Sequence, residues 1–207
     1  MKRVMLLASA GALLAACGMA GAEPVLTGPG GILDTLYGWG NLSEVPPALD
    51  QLWVNPADEV AVEVQAKWAA YTQTFGYLPG STGGTFQPLF VVCGNGYFGG
   101  KPSATIPKAV SGLIFRFADD PSGAPLWSSQ ATDNLDGRDH MRTFLITKGP
   151  SAGNFVIAWE DLPCLGDRDF QDLVVEVHGV TQVPEPSMLA VLTPAGAVIA
   201  LARRRRR

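Results

Sequence analysis

The feature that most constrains the fold is alternation. Val60, Val62, Val64, Ala66 and Trp68 alternate with Ala61, Glu63, Gln65 and Lys67, a period of two that lays the apolar set on one face of a strand. Six further segments read the same way: Tyr71 to Leu78, Phe86 to Cys93, Gly112 to Ala118, Arg142 to Thr147, Phe155 to Glu160 and Leu173 to His178. Most are rich in Val, Ile and Phe, and clusters of Gly, Pro, Asn and Asp separate them. Gly94-Asn95-Gly96, between Val91-Val92-Cys93 and Tyr97-Phe98, reads as a hairpin turn, because Asn and Gly tolerate positive φ. Helical patterns are confined to Leu49 to Trp53 and Ile32 to Tyr37. Seven or more short strands separated by turn signals predict an all-β domain, a β-sandwich or jelly roll with one or two short helices near its start.

Both ends of the 207-residue chain stand apart from this domain. Lys2 and Arg3 precede a charge-free, Leu- and Ala-rich stretch from Val4 to Ala22, the order of a secretory signal peptide. Two processing routes fit. Ala20-Gly21-Ala22 offers a cleavage site before Glu23, and Leu14-Ala15-Ala16-Cys17 resembles a lipobox that would lipidate Cys17. At the other end, Val183-Pro184-Glu185-Pro186 leads into an uncharged stretch, Met188 to Ala202, and then five arginines, Arg203 to Arg207. As a helix that stretch reaches about 22 Å against a hydrocarbon core of ~30 Å, so it spans only marginally, and the arginines would stay cytoplasmic with the domain outside. The expected organisation is a leader over 1–22, a β-domain over 23–182 and a tail over 183–207.

The order of that tail resembles the PEP-CTERM sorting signal of bacteria that make exopolysaccharide. The resemblance implies exosortase processing near Pro184, Glu185 and Pro186, membrane association through the apolar helix before processing, and a final place at the cell surface or in the extracellular matrix.

Setting aside the leader and the terminal arginines leaves eight basic side chains against 19 carboxylates between Glu23 and Glu185, a net charge of −11. This disfavours nucleic acid as a partner and suits cation binding or a solvated anionic surface. Export removes or lipidates Cys17 and leaves Cys93 and Cys164 in an oxidising compartment, so a disulfide between them is expected. Neither thiol has the C-x-x-C or Cys/His spacing of a zinc site.

Carboxylates crowd where the last two long strands meet. Glu160-Asp161-Leu162-Pro163-Cys164-Leu165-Gly166-Asp167-Arg168-Asp169-Phe170-Gln171-Asp172 joins the strand ending at Trp159 to the one starting at Leu173. Such crowding is repulsive unless water or a cation relieves it, and calcium takes six to eight oxygens with flexible geometry. Asp167, Asp169 and Asp172 are the expected calcium ligands, with Glu160, Asp161 and Asp139 as completing groups. The spacing is not that of an EF-hand, since Asp172 and His178 stand where Gly and Glu are needed. A second acidic loop, Asp133 to His140, is a source of distal ligands such as Asp139, and turn chemistry accounts equally well for either loop taken alone.

The order Phe75-Gly76-Tyr77, Gly137-x-Asp139-His140, Trp159-Glu160-Asp161 and Gly166-Asp167-Arg168-Asp169-Phe170-x-Asp172 resembles domain of unknown function 4114. Leu36-Tyr37-Gly38 and Asp50-Gln51-Leu52-Trp53 resemble the amino-terminal part of its members with PEP-CTERM tails. The resemblance implies a surface or adhesin-like protein whose acidic motif binds calcium. Two departures stand out: Gln171 where the family has Asn, and Leu165 where it has a second Gly.

Two classes of function follow. A calcium-stabilised matrix module associated with exopolysaccharide fits the tail, the strands and the acid loop, and a lectin-like role is its variant. A glycan hydrolase needs an acid and a base facing across a sugar cleft, and no pair is so marked. His140 and His178 accompany no nucleophile signature and read as a locally bonded turn residue and a strand-end residue, so the expectation is a protein that is not an enzyme. Trp39, Trp53, Trp68, Trp127 and Trp159 are candidates for stacking on sugars, with Trp68 and Trp159 drawn toward the core by their strand patterns.

Overall fold

A computed structural model describes residues 23–56, 59–107 and 112–184. The leader expected over 1–22 and the tail beyond Pro184 lie outside the described residues. Among those described, no helix is long and apolar enough to cross a membrane.

The alternating segments become strands of two antiparallel sheets. The first is ordered β1 (Leu42–Glu44), β10 (Met141–Ile146), β11 (Phe155–Trp159), β12 (Leu173–His178), β3 (Val60–Lys67), with β6 (Gly96–Tyr97) and β7 (Ser103–Ile106) both pairing with β3. The second runs β13 (Thr181–Val183), β2 (Leu52–Val54), β8 (Ile114–Asp119), β4 (Gln73–Pro79), β5 (Gln87–Val92), with β9 (Trp127–Ser128) added to β8. Their apolar faces meet in a sandwich. Val60, Val62, Val64, Ile157, Trp159, Leu173 and Val175 of the first sheet share one core with Trp53, Phe75, Phe90, Phe115 and Phe117 of the second. The aromatic rings interlock by offset and edge contacts, with Phe75 5.4 Å from Phe90 and 5.6 Å from Phe117.

The first sheet is covered on its outward face too. There Ala66, Phe144, Ile146, Val156, Ala158 and Val174 pack against Leu26 and against Ile32 and Leu33 of α1 (Ile32–Tyr37). This explains why β11 and β12 carry near-continuous apolar runs: both of their faces are buried. The all-β sandwich and the helix at Ile32–Tyr37 agree with the sequence reading.

Four expectations fail, each for a non-local reason. Leu49 to Trp53 is not a helix; Leu52–Val54 pairs with both β8 and β13 as strand β2. Gly94-Asn95-Gly96 is not a hairpin but a passage between sheets, because β5 pairs with β4 whereas β6 pairs with β3. Alternation along β3 breaks at Gln65, an extra residue between the pairs Val64↔Val175 and Ala66↔Val174. Ala66 and Trp68 therefore join the outward cluster, and Lys67 is buried among carboxylates instead of facing solvent. Finally, Cys93 and Cys164 are free, exposed thiols rather than a disulfide. Cys93 follows β5 in the second sheet, and Cys164 lies in the turn after β11 of the first.

Candidate metal centre

The acid loop leaves β11 at Glu160 and re-enters the sheet at Leu173, opposite Trp159. Its backbone is unusual. Cys164, Leu165, Arg168 and Phe170 have φ of 60, 64, 63 and 54, and they are the non-glycine residues with positive φ among those described. Each such residue costs about 1 kcal/mol, so surrounding contacts must hold the loop in shape. Leu165 is thus in the region where a glycine would be unstrained, which gives physical content to that departure. Gly166 has no alternative: a Cβ there would meet Leu162 Cβ at 2.5 Å and Glu160 Oε1 at 3.0 Å.

This path gathers five of the six expected ligands into two groups that share Glu160, with candidate oxygens within 4.8 Å of one another. The outer group is Glu160, Asp167 and Asp169; the inner one is Glu160, Asp161 and Asp172, all buried. One Glu160 oxygen accepts a hydrogen bond from the Leu162 amide at 3.2 Å, whereas Oε2 is buried without a partner among the described residues. Burial, reinforced by Asp167 and Asp169, pushes the Glu160 carboxyl up to about 7. Burial and Asp161 push Asp172 up to about 9, and burial raises Asp169 as well.

The inner group is tied into the sandwich. Asp172 Oδ2 accepts from the Asp161 amide at 2.8 Å, Gln73 Nε2 of β4 donates to Asp161 Oδ2, and Trp127 Nε1 donates to the Asp161 carbonyl at 2.8 Å. Lys67 supplies positive charge beside Asp161, Asp172 and Asp119 while its Nζ donates to the Ala69 carbonyl and Asn95 Oδ1. Burial lowers its pKa and raises that of Asp119. The sequence reading missed Lys67, Gln73 and Asp119. The first was assigned to the solvent face by an alternation that only the bulge interrupts, and nothing local marks the other two.

Asp139, the sixth expected ligand, is elsewhere. It lies by Asp50, joined through Gln51, whose Nε2 is 3.4 Å from Asp50 Oδ1 and 3.3 Å from Asp139 Oδ2. Burial raises both carboxyls, Asp50 to about 8 with Asp139 adding to the effect, and Asp139 to about 6. The second acidic loop instead braces the first. His140 stacks on Trp127 at 3.7 Å, and its ring nitrogens bond to the Glu160 carbonyl and to Asp136 Oδ2, which also accepts from the Cys164 amide. His140 thus has the local bond expected of it, to Asp136, and also a long-range one to the strand that starts the acid loop. Asp133 pairs with Arg116 of β8.

Residues 90–180 match the model of the family described as domain of unknown function (DUF4114). The DUF4114 match takes in both acidic loops and the strands that carry them. It leaves out Leu36-Tyr37-Gly38, Asp50 to Trp53 and Phe75 to Tyr77, so the wider resemblance rests on sequence reading alone. No curated protein matches the chain.

Proposed function

We propose that this chain is an exported, non-catalytic β-domain of the cell surface or extracellular matrix whose acid loop binds calcium and is stabilised by it. The observation that carries this reading is the outer group. Glu160, Asp167 and Asp169 converge; among the described residues, Arg168 makes no ion pair and Glu160 Oε2 is buried without a partner. A divalent ion would neutralise this repulsion and supply the missing partner. All candidate donors are oxygens, and an irregular loop that adds carbonyls and water suits calcium's flexible shell better than magnesium's rigid octahedron. The same carboxylates pack on one another instead of facing across a cleft, which supports binding over hydrolysis.

Export and exosortase sorting rest on the two ends of the sequence. Strand β13 ends at Val183, one residue into the tail read from 183 and just before Pro184, so processing at the Pro-Glu-Pro motif would leave the paired strand intact. Association with exopolysaccharide belongs to this reading.

Thermal melts of the full chain with calcium and with chelator test the metal. At a hundredfold excess over Kd, calcium should contribute about 2.7 kcal/mol, or a rise of about 5–10 °C for a domain of this size. The rise should vanish in Asp169→Ala; equal melts of wild type in both conditions would defeat the calcium reading. For sorting, mass spectrometry of surface-recovered protein should find Arg203 to Arg207 gone, and intact terminal arginines would show a plain anchor.

A further inference from the structure

A second concave site lies on the outward face of the first sheet. A cleft of about 360 Å³ opens between the chain around α1 and strands β1 and β10. That size is within the ~300–1,000 Å³ of small-molecule pockets. Leu42 and Phe144 give it apolar lining, Asp34, Glu44 and Arg142 give it charge, and Trp39 stands at it as an aromatic surface.

Trp39 is the unusual member. Trp53, Trp127 and Trp159 are completely buried, but Trp39 is 65% exposed. It is held out by the turn that follows α1, between Gly38 and Gly40 with φ of 85 and 76. Trp39 stacks on no other ring among the described residues, so a side chain that normally buries 150–250 Å² leaves most of its area in water. The polar groups beside it are fixed and only partly used. Arg142 Nε donates to Glu44 Oε1 at 2.8 Å, and the guanidinium lies over Phe144 at 5.2 Å and Phe170 at 5.7 Å. Its terminal amino groups have no partner among the described residues. Asp34 Oδ2 accepts from the Gly30 amide at 2.7 Å.

An open aromatic face beside carboxylates and a guanidinium is the chemistry that recognises a sugar. The ring's C–H face covers the indole, while neighbouring hydroxyls both donate to carboxylates and accept from the guanidinium. We propose that this cleft binds a sugar ring of a neutral polysaccharide, with Trp39 as the stacking platform and Asp34, Glu44 and Arg142 as the hydroxyl-binding groups. Neutral, because two carboxylates outnumber one guanidinium in the cleft and a segment of net charge −11 from Glu23 to Glu185 repels an acidic polymer. The site shares no carboxylate with the acid loop, so it stands apart from the calcium reading.

The test is binding of the full chain to cellohexaose, laminarihexaose, mannohexaose and polygalacturonate, each in calcium and in chelator. Saturable binding to at least one neutral hexasaccharide is expected, with a blue shift of the emission contributed by Trp39. Trp39→Ala should weaken it at least tenfold with an unchanged melt, since the side chain is exposed. Glu44→Gln provides a second variant that keeps the shape of the cleft and should also weaken binding. No saturable binding to any neutral hexasaccharide, equal binding by Trp39→Ala, or preference for polygalacturonate would overturn the proposal.

Discussion

Two places in this domain bury carboxylates together, and they resolve the same repulsion differently. In the Asp50–Asp139 pair, two acids share the amide of Gln51, and burial raises both so that protons can neutralise them. Five acids crowd the loop from Glu160 to Asp172, which is divided: Lys67 offers charge to the inner group, and the outer group makes no ion pair among the described residues. Desolvation acts on both places, so it does not distinguish them. The number of charges and the presence of an internal counter-charge do. The pair has protons and one shared amide, whereas the loop of five has raised carboxyls and, beside Asp161 and Asp172, the charge of Lys67.

The largest expected effect comes from removing the internal counter-charge. Lys67→Met keeps the apolar stem but leaves Asp161, Asp172 and Asp119 without positive charge, at a cost of about 3 kcal/mol in a denaturant melt. An unchanged midpoint would mean that the inner group is neutralised by protons as the Asp50–Asp139 pair is, and the contrast between the two places would collapse.

A smaller effect sharpens the other side. Asp50 has its pKa raised to about 8 in the folded state against roughly 4 unfolded. The folded chain holds a proton that the unfolded chain has released, so this contribution is present at low pH and is lost as pH rises from 4 through 8. Asp50→Asn fixes the neutral form. In chelator its melt should fall by about 1–2 kcal/mol less than that of wild type between pH 5 and pH 8. Acid-loop groups titrate in the same direction in both proteins, so the difference isolates Asp50. Parallel pH profiles would show that Asp50 is ionised in the fold.

The smallest effect is the absence of one. Cys93 and Cys164 are free thiols, so a reductant should leave the melt within about 0.5 kcal/mol of its value in its absence. A reductant-sensitive melt would reveal a covalent tie between the second sheet and the acid loop, and the loop's shape would then rest in part on that tie.

Local pattern determined a good part of this protein. Alternation and turn residues marked β3, β4, β5, β8, β10, β11 and β12 within a few residues, because each strand must present an apolar face whatever it pairs with. The run from Glu160 to Asp172 could be assigned to one connection between two strands, since five of the expected ligands lie within thirteen residues of chain. What tertiary structure alone decided is who meets whom. Two-residue strands such as β6 and β9 carry no period, and Leu52–Val54 is a strand only because β8 and β13 flank it. Lys67 turns inward because β3 carries one residue more than β12 across Gln65, a mismatch between two segments more than a hundred residues apart. Asp139 goes to Asp50 rather than to the acid loop for the same kind of reason, as the cleft beside Trp39 forms only when α1 folds back over the outward face of the first sheet. Periodicity reports the face a residue prefers; register and bulges, set by distant chain, determine the face it receives.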